Sequence, residues 1–497
     1  MSRAVYRARV LRSDSSEVTV SPRLSPIDAS FLSLESPRAH MNVGWSGLGP
    51  LPDGIERPTI EALRARVESR LRDVPRCRQR LQFHPLGLGE PHWVDDPAFD
   101  LDAHVIPLSG PDEPLSLQRF EELRDELLSS PLDRSRPLWQ IALAPRLEDG
   151  RVAVVGRVHH AMADGAAALQ VAQLGLDLAR DDPPATAEPW RAEPPPRTAR
   201  HAVDPLLHGA EVAAQAVGDA ARAALRPRAS ARGVLRDAQR VVDALTEDLL
   251  PRAPQSELNN DLGPRRTLIG HQEPLDVLHG VGAGSLNDVG LTIVAGALRS
   301  LALERGLRAH PLKALVPVDT RGPKERGTLG NHVSLAAVWL PLHLASAEAR
   351  LAHVRAATER FKRAGRPAGA RSVIAGLSLV PSGLRGVVLR AASVGSFNLT
   401  VSSIPGPRRP LHLLGVALEE IYPVVPVAED QAISIGMFRY NGHLNFGLHA
   451  DPDAFPQAAR LPALITAELQ ALGDALDERP AQRPAVAVAG GRTPVTS

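Results

Sequence analysis

The sequence predicts a mixed α/β fold with two domains around a shared cleft. The chain has 497 residues, more than one simple hydrophobic core accommodates. Helix-like and strand-like apolar patterns occur together in both halves, and the second half repeats the texture of the first. A proline-rich stretch with two helix-like patterns separates the halves. A binding cleft is therefore expected at the domain junction.

Changes in composition along the chain predict five segments. We expect a loosely ordered arm at 1–23, an N-terminal domain at 24–185, and a linker with a helical crossover at 186–264. A C-terminal domain follows at 265–476, and a disordered tail rich in proline, alanine and glycine occupies 477–497.

The composition limits which binding partners and which cellular compartment are expected for this chain. The 57 basic and 56 acidic residues give a net charge of +1, so no overall field favours nucleic acid. Cys77 is the one cysteine, which excludes an intramolecular disulfide and fits a reducing interior. No apolar run reaches about 18 residues, and the basic amino terminus lacks the apolar core of a secretion signal. Cytoplasmic residence is the expectation.

Local patterns predict individual elements in both halves. Helical stripes begin after Pro58 and after Pro114, and a hairpin turning at Asp149–Gly150 ends in two histidines. In the second half the sequence predicts helices and strands in this order: a helix opened by a capping box at Ser285 and Asp288, strands ALVPVDT and VSLAAVWLPL, a helix at 346–365, strands FNLTVSSI, LHLLGVAL and AISIGMFRY, a turn at Asn441–Gly442, and a helix at 455–476.

The segment HHAMADG, residues 159–165, carries the most chemical information because an apolar strand there meets an amphipathic helix. Side chains alternate along a strand, so the rings of His159 and His160 point in opposite directions. One ring can face a cavity as a base, and the other is expected to be hydrogen-bonded into the scaffold.

Asp164 has three readings at this stage: it caps the helix that follows, accepts a proton from an imidazole, or pairs with a buried arginine. A metal site is not expected because the two histidines diverge and no further ligand follows at suitable spacing. The shorter pattern of His159 with Asp164 also fits glycerolipid acyltransferases, but it is short enough to arise by chance.

HHAMADG matches the HHxxxDG signature of the chloramphenicol acetyltransferase-like superfamily, which includes condensation domains. Further segments resemble the bacterial wax ester synthase/diacylglycerol acyltransferase family. These are LSPIDASFLSLESP at 24–37, MNVG at 41–44, PLW at 137–139, ND at 287–288, VSSIPGPRRPL at 401–411 and YNGHLNFGLHAD at 440–451. The resemblance covers roughly residues 24–475, in the order found in the family.

This resemblance implies two chloramphenicol acetyltransferase-like domains with a helical crossover and a tunnel between them. It implies O-acylation of diacylglycerol or a long-chain alcohol, with acyl-CoA as co-substrate and no bound cofactor. His160 would be the general base, while His159, Asp164 and Gly165 would fix the geometry. The implied substrate-binding residues are Pro137, Leu138, Trp139, Asn287, Asp288, Ser402 and Ser403. Asn287 is the candidate oxyanion donor, and Asp288 also fits a purely structural cap.

Three positions depart from the family pattern and leave substrate preference open. Asn42 stands where the family usually has His, Ser403 where it has Asn, and Arg439 where it has Ser. No GxSxG elbow occurs in the chain, so direct transfer in a ternary complex is favoured over a serine-bound intermediate.

One crossover helix, with Arg232, Arg236 and Arg240 on one side, could lie on an anionic membrane or lipid-droplet surface. A solvated face on a helix packed across the two domains explains it equally well. Two other functions also remain open: a condensation-type acyltransferase that takes its acyl group from a carrier protein, and a lipid-binding protein of the same fold without turnover.

Overall fold

Two mixed β-sheets with helices packed on them form the architecture, as a computed structural model of the chain shows. The structure describes residues 23–83, 90–110, 113–180, 189–194, 252–275, 286–319, 331, 333–363 and 395–477. The predicted fold class is confirmed, since both sheets contain parallel and antiparallel pairs.

The described helices are α1 (Pro26–Leu34), α2 (Ile60–Arg70), α3 (Leu117–Leu128), α4 (Gly165–Ala172), α5 (Leu286–Glu304), α6 (Ala347–Arg363) and α7 (Leu461–Asp477). The described strands are β1 (Asn42–Pro50), β2 (Gln79–Gln82), β3 (His92–Asp95), β4 (Val105–Pro107), β5 (Trp139–Ala144), β6 (Arg151–His159), β7 (Thr267–Pro274), β8 (Leu312–Asp319), β9 (Val333–Leu340), β10 (Leu399–Pro405), β11 (His412–Leu413), β12 (Val416–Ala417), β13 (Glu420–Val424), β14 (Ile433–Tyr440) and β15 (His443–Ala450).

The first sheet carries the histidine motif and has the strand order β13-β1-β6-β5-β4. The predicted hairpin is confirmed: β5 and β6 pair antiparallel, and Gly150 takes the positive φ of 82° that the turn requires. Eight of the nine residues of β6 are buried, because sheet neighbours flank the strand on both sides and helices and loops cover its faces.

The second sheet has the order β7-β15-β14-β10-β8-β9, with α5, α6 and α7 packed together over a shared apolar core. The predicted turn between β14 and β15 is confirmed by positive φ angles at both Asn441 (48°) and Gly442 (80°). Helix α5 has the length and apolar composition to cross a membrane, but two thirds of its most apolar window is buried against the sheet and the other helices. Its burial is that of a core helix.

Strand β13 joins the two sheets. It lies in the C-terminal half of the sequence, yet it pairs antiparallel with β1 at the edge of the first sheet. Its backbone also accepts a hydrogen bond from the second sheet, because Asn445 Nδ2 donates to Ile421 O at 2.9 Å. Just beyond the strand, His449 Nδ1 lies 2.8 Å from Val425 O. The sheets therefore share one buried seam.

Two local expectations were wrong. The apolar positions Leu169, Val171, Leu174 and Leu176 predict one helix after HHAMADG, but α4 ends at Ala172. The segment LHLLGVAL forms two short strands instead of one, because Leu414 and Gly415 take positive φ angles of 50° and 88° and reverse the chain. The predicted last helix is confirmed as α7, which a 3-10 turn at Pro456–Arg460 precedes.

Several expectations lie outside the described residues. They include most of the arm at 1–23, both crossover helices within 186–264, the cap at Ser285 and all but the first residue of the tail at 477–497. The domain boundaries stay predictions.

Substituting Gly447 with alanine tests the seam. A Cβ atom at Gly447 would lie 1.8 Å from Pro423 O, whereas one at exposed Gly110 would meet nothing closer than 3.6 Å. We expect Gly447→Ala to lower the free energy of unfolding by roughly 1–3 kcal/mol, because backbone must move to admit the methyl group. Gly110→Ala is the control. Chemical denaturation measures both, and equal stability of the two variants would contradict the seam as described.

Candidate active site

The backbone of the two histidines is held by the residues that immediately precede the two strands beside β6. His159 N–H donates to Leu138 O at 2.9 Å, and His160 N–H donates to Met41 O at 2.7 Å. Asn42 of β1 lies directly opposite His159 in the sheet register. The PLW and MNVG segments therefore fix the position at which the strand ends and the motif begins.

His159 is part of the scaffold. Its ring is 1% exposed, and Nδ1 accepts a hydrogen bond from Ala161 N–H at 3.0 Å. Because Nδ1 is an acceptor in that bond, the ring proton of the neutral imidazole is on Nε2. Nε2 lies 3.5 Å from Glu35 Oε1. The lone pair of His159 is thus occupied, and this ring is not free to take a proton from a substrate.

Glu35 is a buried anion behind the motif that sequence reasoning missed. Arg134 Nε donates to Glu35 Oε2 at 2.9 Å, and Arg134 also donates to Leu32 O at 3.1 Å. Burial raises the pKa of Glu35, but contacts with His159 and Arg134 outweigh it and hold the pKa at about 2. Glu35 lies inside the LSPIDASFLSLESP segment, yet no spacing rule connects it with a histidine 124 positions later.

His160 has the environment of a neutral base. The residue is half-buried, and its ring stacks on Phe31 of α1 with 3.8 Å between centroids and 6° between planes. Nδ1 is shielded from solvent, and no other residue in the described part of the chain hydrogen-bonds it. Burial lowers the pKa of His160 to about 4, although the negative charge of Asp164 and the residue's own carbonyl oppose this. The imidazole is therefore neutral at pH 7.

Asp164 caps α4, which is one of the three roles that the sequence left open. Its Oδ1 accepts from Ala167 N–H at 2.9 Å. Gly165 follows as the first residue of the helix, and a Cβ there would lie 3.1 Å from Cδ1 of Ile404, the residue after Ser402 and Ser403. The missing side chain lets the motif approach β10 of the second sheet closely.

An apolar cavity begins at this junction. The space open to the centre of a water molecule is about 40 Å³. One wall comes from β1 and α4, and the other comes from β10, β13, β14 and the segment around β11. The lining residues are Gly44, Trp45, Gly165, Ala168, Leu169, Ala172, Leu176, Ile404, Leu411, Ile421, Pro423 and Phe438. Three of the positions on α4 are glycine or alanine, so the space exists because these side chains are small.

The PLW residues lie behind the motif. Pro137, Leu138 and Trp139 are all buried, and Trp139 Nε1 donates to Cys77 O at 2.7 Å. Their observed link to the site is the carbonyl of Leu138, which holds His159. Direct contact between these side chains and a substrate stays a prediction.

The remaining predicted residues lie on the second sheet and its helices. Asp288 is 5% exposed and accepts a hydrogen bond from Thr358 Oγ1 of α6 at 2.8 Å, so it ties α5 to α6. Asn287 beside it is half-buried, as are Ser402 and Ser403 on β10. The structure brings Ser402 and Ser403 next to the residue that packs on Gly165. A substrate-binding role for these residues stays a prediction.

Sequence reasoning also missed Asn331 and Asp28. Asn331 Nδ2 donates to the carbonyl of His160 at 2.6 Å and to Asp28 Oδ1 at 2.6 Å.

In the described part of the chain, no group of three or more His, Cys, Asp or Glu side chains could hold a metal ion.

Comparison with known proteins identifies this arrangement. A model described as the wax ester synthase/diacylglycerol acyltransferase catalytic domain matches residues 24–290. A second model, described as the WS/DGAT C-terminal domain, matches residues 329–473. The chain belongs to the wax ester synthase/diacylglycerol acyltransferase family. The resemblance seen in its motifs is confirmed, and the chain is an acyltransferase.

Curated relatives of this family member span nearly the whole chain. The protein named "Probable diacyglycerol O-acyltransferase tgs1" of Mycobacterium tuberculosis (strain ATCC 25618 / H37Rv) is 30% identical over 451 residues, covering 88% of this chain and 93% of that protein. "Probable diacyglycerol O-acyltransferase tgs2" of the same strain is 30% identical over 465 residues, covering 91% and 99%.

Solved structures support the fold of the family member. The wax ester synthase/diacylglycerol acyltransferase from Marinobacter aquaeolei VT8 is 23% identical with a TM-score of 0.63, covering 92% of this chain and 99% of that one. The first condensation domain of the calcium-dependent antibiotic synthetase is 18% identical with a TM-score of 0.57, covering 93% and 97%. Both likenesses concern the fold alone.

Proposed function

We propose that this acyltransferase moves a fatty acyl group from acyl-CoA to the hydroxyl of diacylglycerol or a long-chain alcohol, with His160 as general base. The observation that carries the proposal is the contrast between the two histidines: the lone pair of His159 is used by a backbone amide, and His160 is neutral with Nδ1 buried. The relatives named diacyglycerol O-acyltransferases support diacylglycerol as the first acceptor to test.

The reaction needs one proton to move twice. A hydroxyl is a weak nucleophile at pH 7, so His160 Nε2 takes its proton while the oxygen attacks the thioester carbonyl. The tetrahedral intermediate then collapses and the carbon–sulfur bond breaks. The thiolate of CoA leaves and accepts from the imidazolium the proton that the hydroxyl had given up. No covalent acyl-enzyme forms.

Charges around His160 determine how well it holds the proton. Burial disfavours the imidazolium, and the negative charge of Asp164 favours it. Asp164 therefore has a role beyond capping α4, because it stabilises the charge that appears on His160 during attack. The oxyanion of the intermediate needs a donor, typically worth ~3 kcal/mol. Asn287 is the proposed donor.

The apolar cavity beside Gly165 suits the end of a hydrocarbon chain. Its twelve lining residues are apolar or glycine, and the residue that packs on the motif glycine forms part of its wall. A chain that enters here replaces water against apolar side chains, which contributes ~0.8 kcal/mol per buried CH₂. The cavity thereby favours a lipid substrate over a short acyl group.

Substituting His160 with alanine tests the base. We expect kcat for transfer of radiolabelled acyl groups from acyl-CoA into neutral lipid to fall roughly 10²- to 10⁴-fold, because the hydroxyl keeps its proton. The control is His310→Ala, at an exposed position outside the site. A folded His160→Ala enzyme that turns over within a factor of three of the control would refute the assignment. Acyl-carrier protein offered in parallel as donor tests the condensation-type alternative.

Filling the cavity tests where the acyl chain lies. Ala168 lines it from α4, so Ala168→Phe should lower kcat/KM for long-chain acyl-CoA roughly tenfold and leave a four-carbon donor nearly unchanged. Ala62→Phe on the exposed face of α2 is the matched control. Equal loss for long and short donors would place the chain elsewhere.

We also propose cytoplasmic residence with peripheral contact at the inner membrane face or lipid droplets. The support is the arginine spacing at 232–240, which lies outside the described residues. The protein should sediment with anionic liposomes at low salt and be released as salt screens the attraction. Lack of sedimentation at low salt would exclude this mode of contact. Neutral liposomes are the control.

A further inference from the structure

Asn331 bridges the motif and helix α1 through one side-chain amide. The residue is 8% exposed, and Nδ2 donates to two acceptors at once, His160 O and Asp28 Oδ1, both at 2.6 Å. Asn331 N–H donates to the same Asp28 oxygen at 3.1 Å. Asp28 Oδ2 in turn accepts from the hydroxyl of Ser25 at 2.7 Å.

These contacts fix which end of the amide faces the motif. An amide nitrogen carries two hydrogens, and a carbonyl together with a carboxylate uses both of them. Swapping the amide ends would set its oxygen against two acceptors and leave buried groups unpaired, at a cost of about 1–3 kcal/mol each. Asn331 therefore holds the His160 carbonyl in a defined place.

The position of that carbonyl matters because it belongs to the residue proposed as base. Burial lowers the pKa of His160, and the carbonyl of His160 and the side chain of Asn331 partly oppose this lowering. Nδ1 is buried and has no hydrogen-bond partner in the described part of the chain. A hydrogen on Nδ1 leaves the lone pair on Nε2, and this is the tautomer that a base at Nε2 needs.

We propose that Asn331 is a positioning residue that holds the His160 carbonyl so that the imidazole keeps its hydrogen on Nδ1 and presents Nε2 to the acceptor hydroxyl. This inference rests on the proposed role of His160 as base. Asn331 comes from the C-terminal half of the chain, whereas His160 and Asp28 come from the N-terminal half. The base is therefore set in its working geometry only when the two halves are docked.

Alanine and aspartate at position 331 test the bridge. Asn331→Ala should lower kcat up to roughly 100-fold, because the ring loses its alignment, and should change KM for acyl-CoA less than threefold. Asn331→Asp should be at least as impaired, since a carboxylate there would face the carbonyl and Asp28. Asp28→Asn keeps an acceptor oxygen for Asn331 and should retain most activity, whereas Asp28→Ala should not.

The pH profile separates positioning from general damage. Asp164, on α4, raises the pKa of His160, and His159, on β6, lowers it; both remain in the variants. Losing the Asn331 contact removes a contribution that raises this pKa, so the acid limb of kcat/KM should move to lower pH. Asn259→Ala is the matched control, because Asn259 Nδ2 also bridges two carbonyls, those of Phe397 and Asp430. It should destabilise the fold without moving the limb.

A spectroscopic readout keeps this inference distinct from the proposed function. In ¹⁵N-histidine-labelled protein, His160 should show a protonated Nδ1 in the wild type, assigned by difference from His160→Gln, and lose this signature in Asn331→Asp. That result would support the positioning role even if no acyl transfer were found. A wild-type Nε2–H tautomer, or an unchanged tautomer and pH profile in folded Asn331→Asp, would overturn it.

Discussion

The pairing of β1 with β6 is the interaction on which the site depends. Its register places Asn42 opposite His159 and ends with Met41 holding the backbone of His160. A buried backbone group needs a hydrogen-bond partner. This ladder and the hydrogen bond from His159 N–H to Leu138 O therefore fix where the motif leaves the strand. A slip of one residue would exchange the directions of the two rings. The chemistry of the site is in this sense a consequence of strand register.

The two histidine side chains of the motif differ in their hydrogen bonds, and this difference gives them different roles. His159 gives its lone pair to a backbone amide and turns its other nitrogen to Glu35, which Arg134 holds as an anion. The Nδ1 atom of His160 has no hydrogen-bond partner among the described residues, and the ring stacks on Phe31. The buried carboxylate of Glu35, held by Arg134, stabilises the ring of His159. The ring of His160 has no such partner and can accept a proton from a substrate.

Local sequence signals predicted the parts of the site that depend on near neighbours. The hairpin followed from strand alternation, and the cap at Asp164 followed from a polar residue placed before an apolar helix. Glu35, Asn331 and Asp28 were missed because their partners lie far along the chain, where a single sequence carries no pairing signal. The break of LHLLGVAL at Leu414 and Gly415 was missed because the apolar pattern outweighed the turn chemistry. The placement of β13 was likewise set by tertiary packing.

The shared seam at β13 has a consequence for how the chain could be divided. The catalytic-domain model ends at residue 290, but the strand that covers β1 begins 130 residues later at Glu420. A protein cut at that boundary would present β1 as an open sheet edge with unpaired N–H and C=O groups, a template for self-association. Half of this enzyme would thus expose a sheet edge prone to self-association, and the first sheet is complete only when both halves are present.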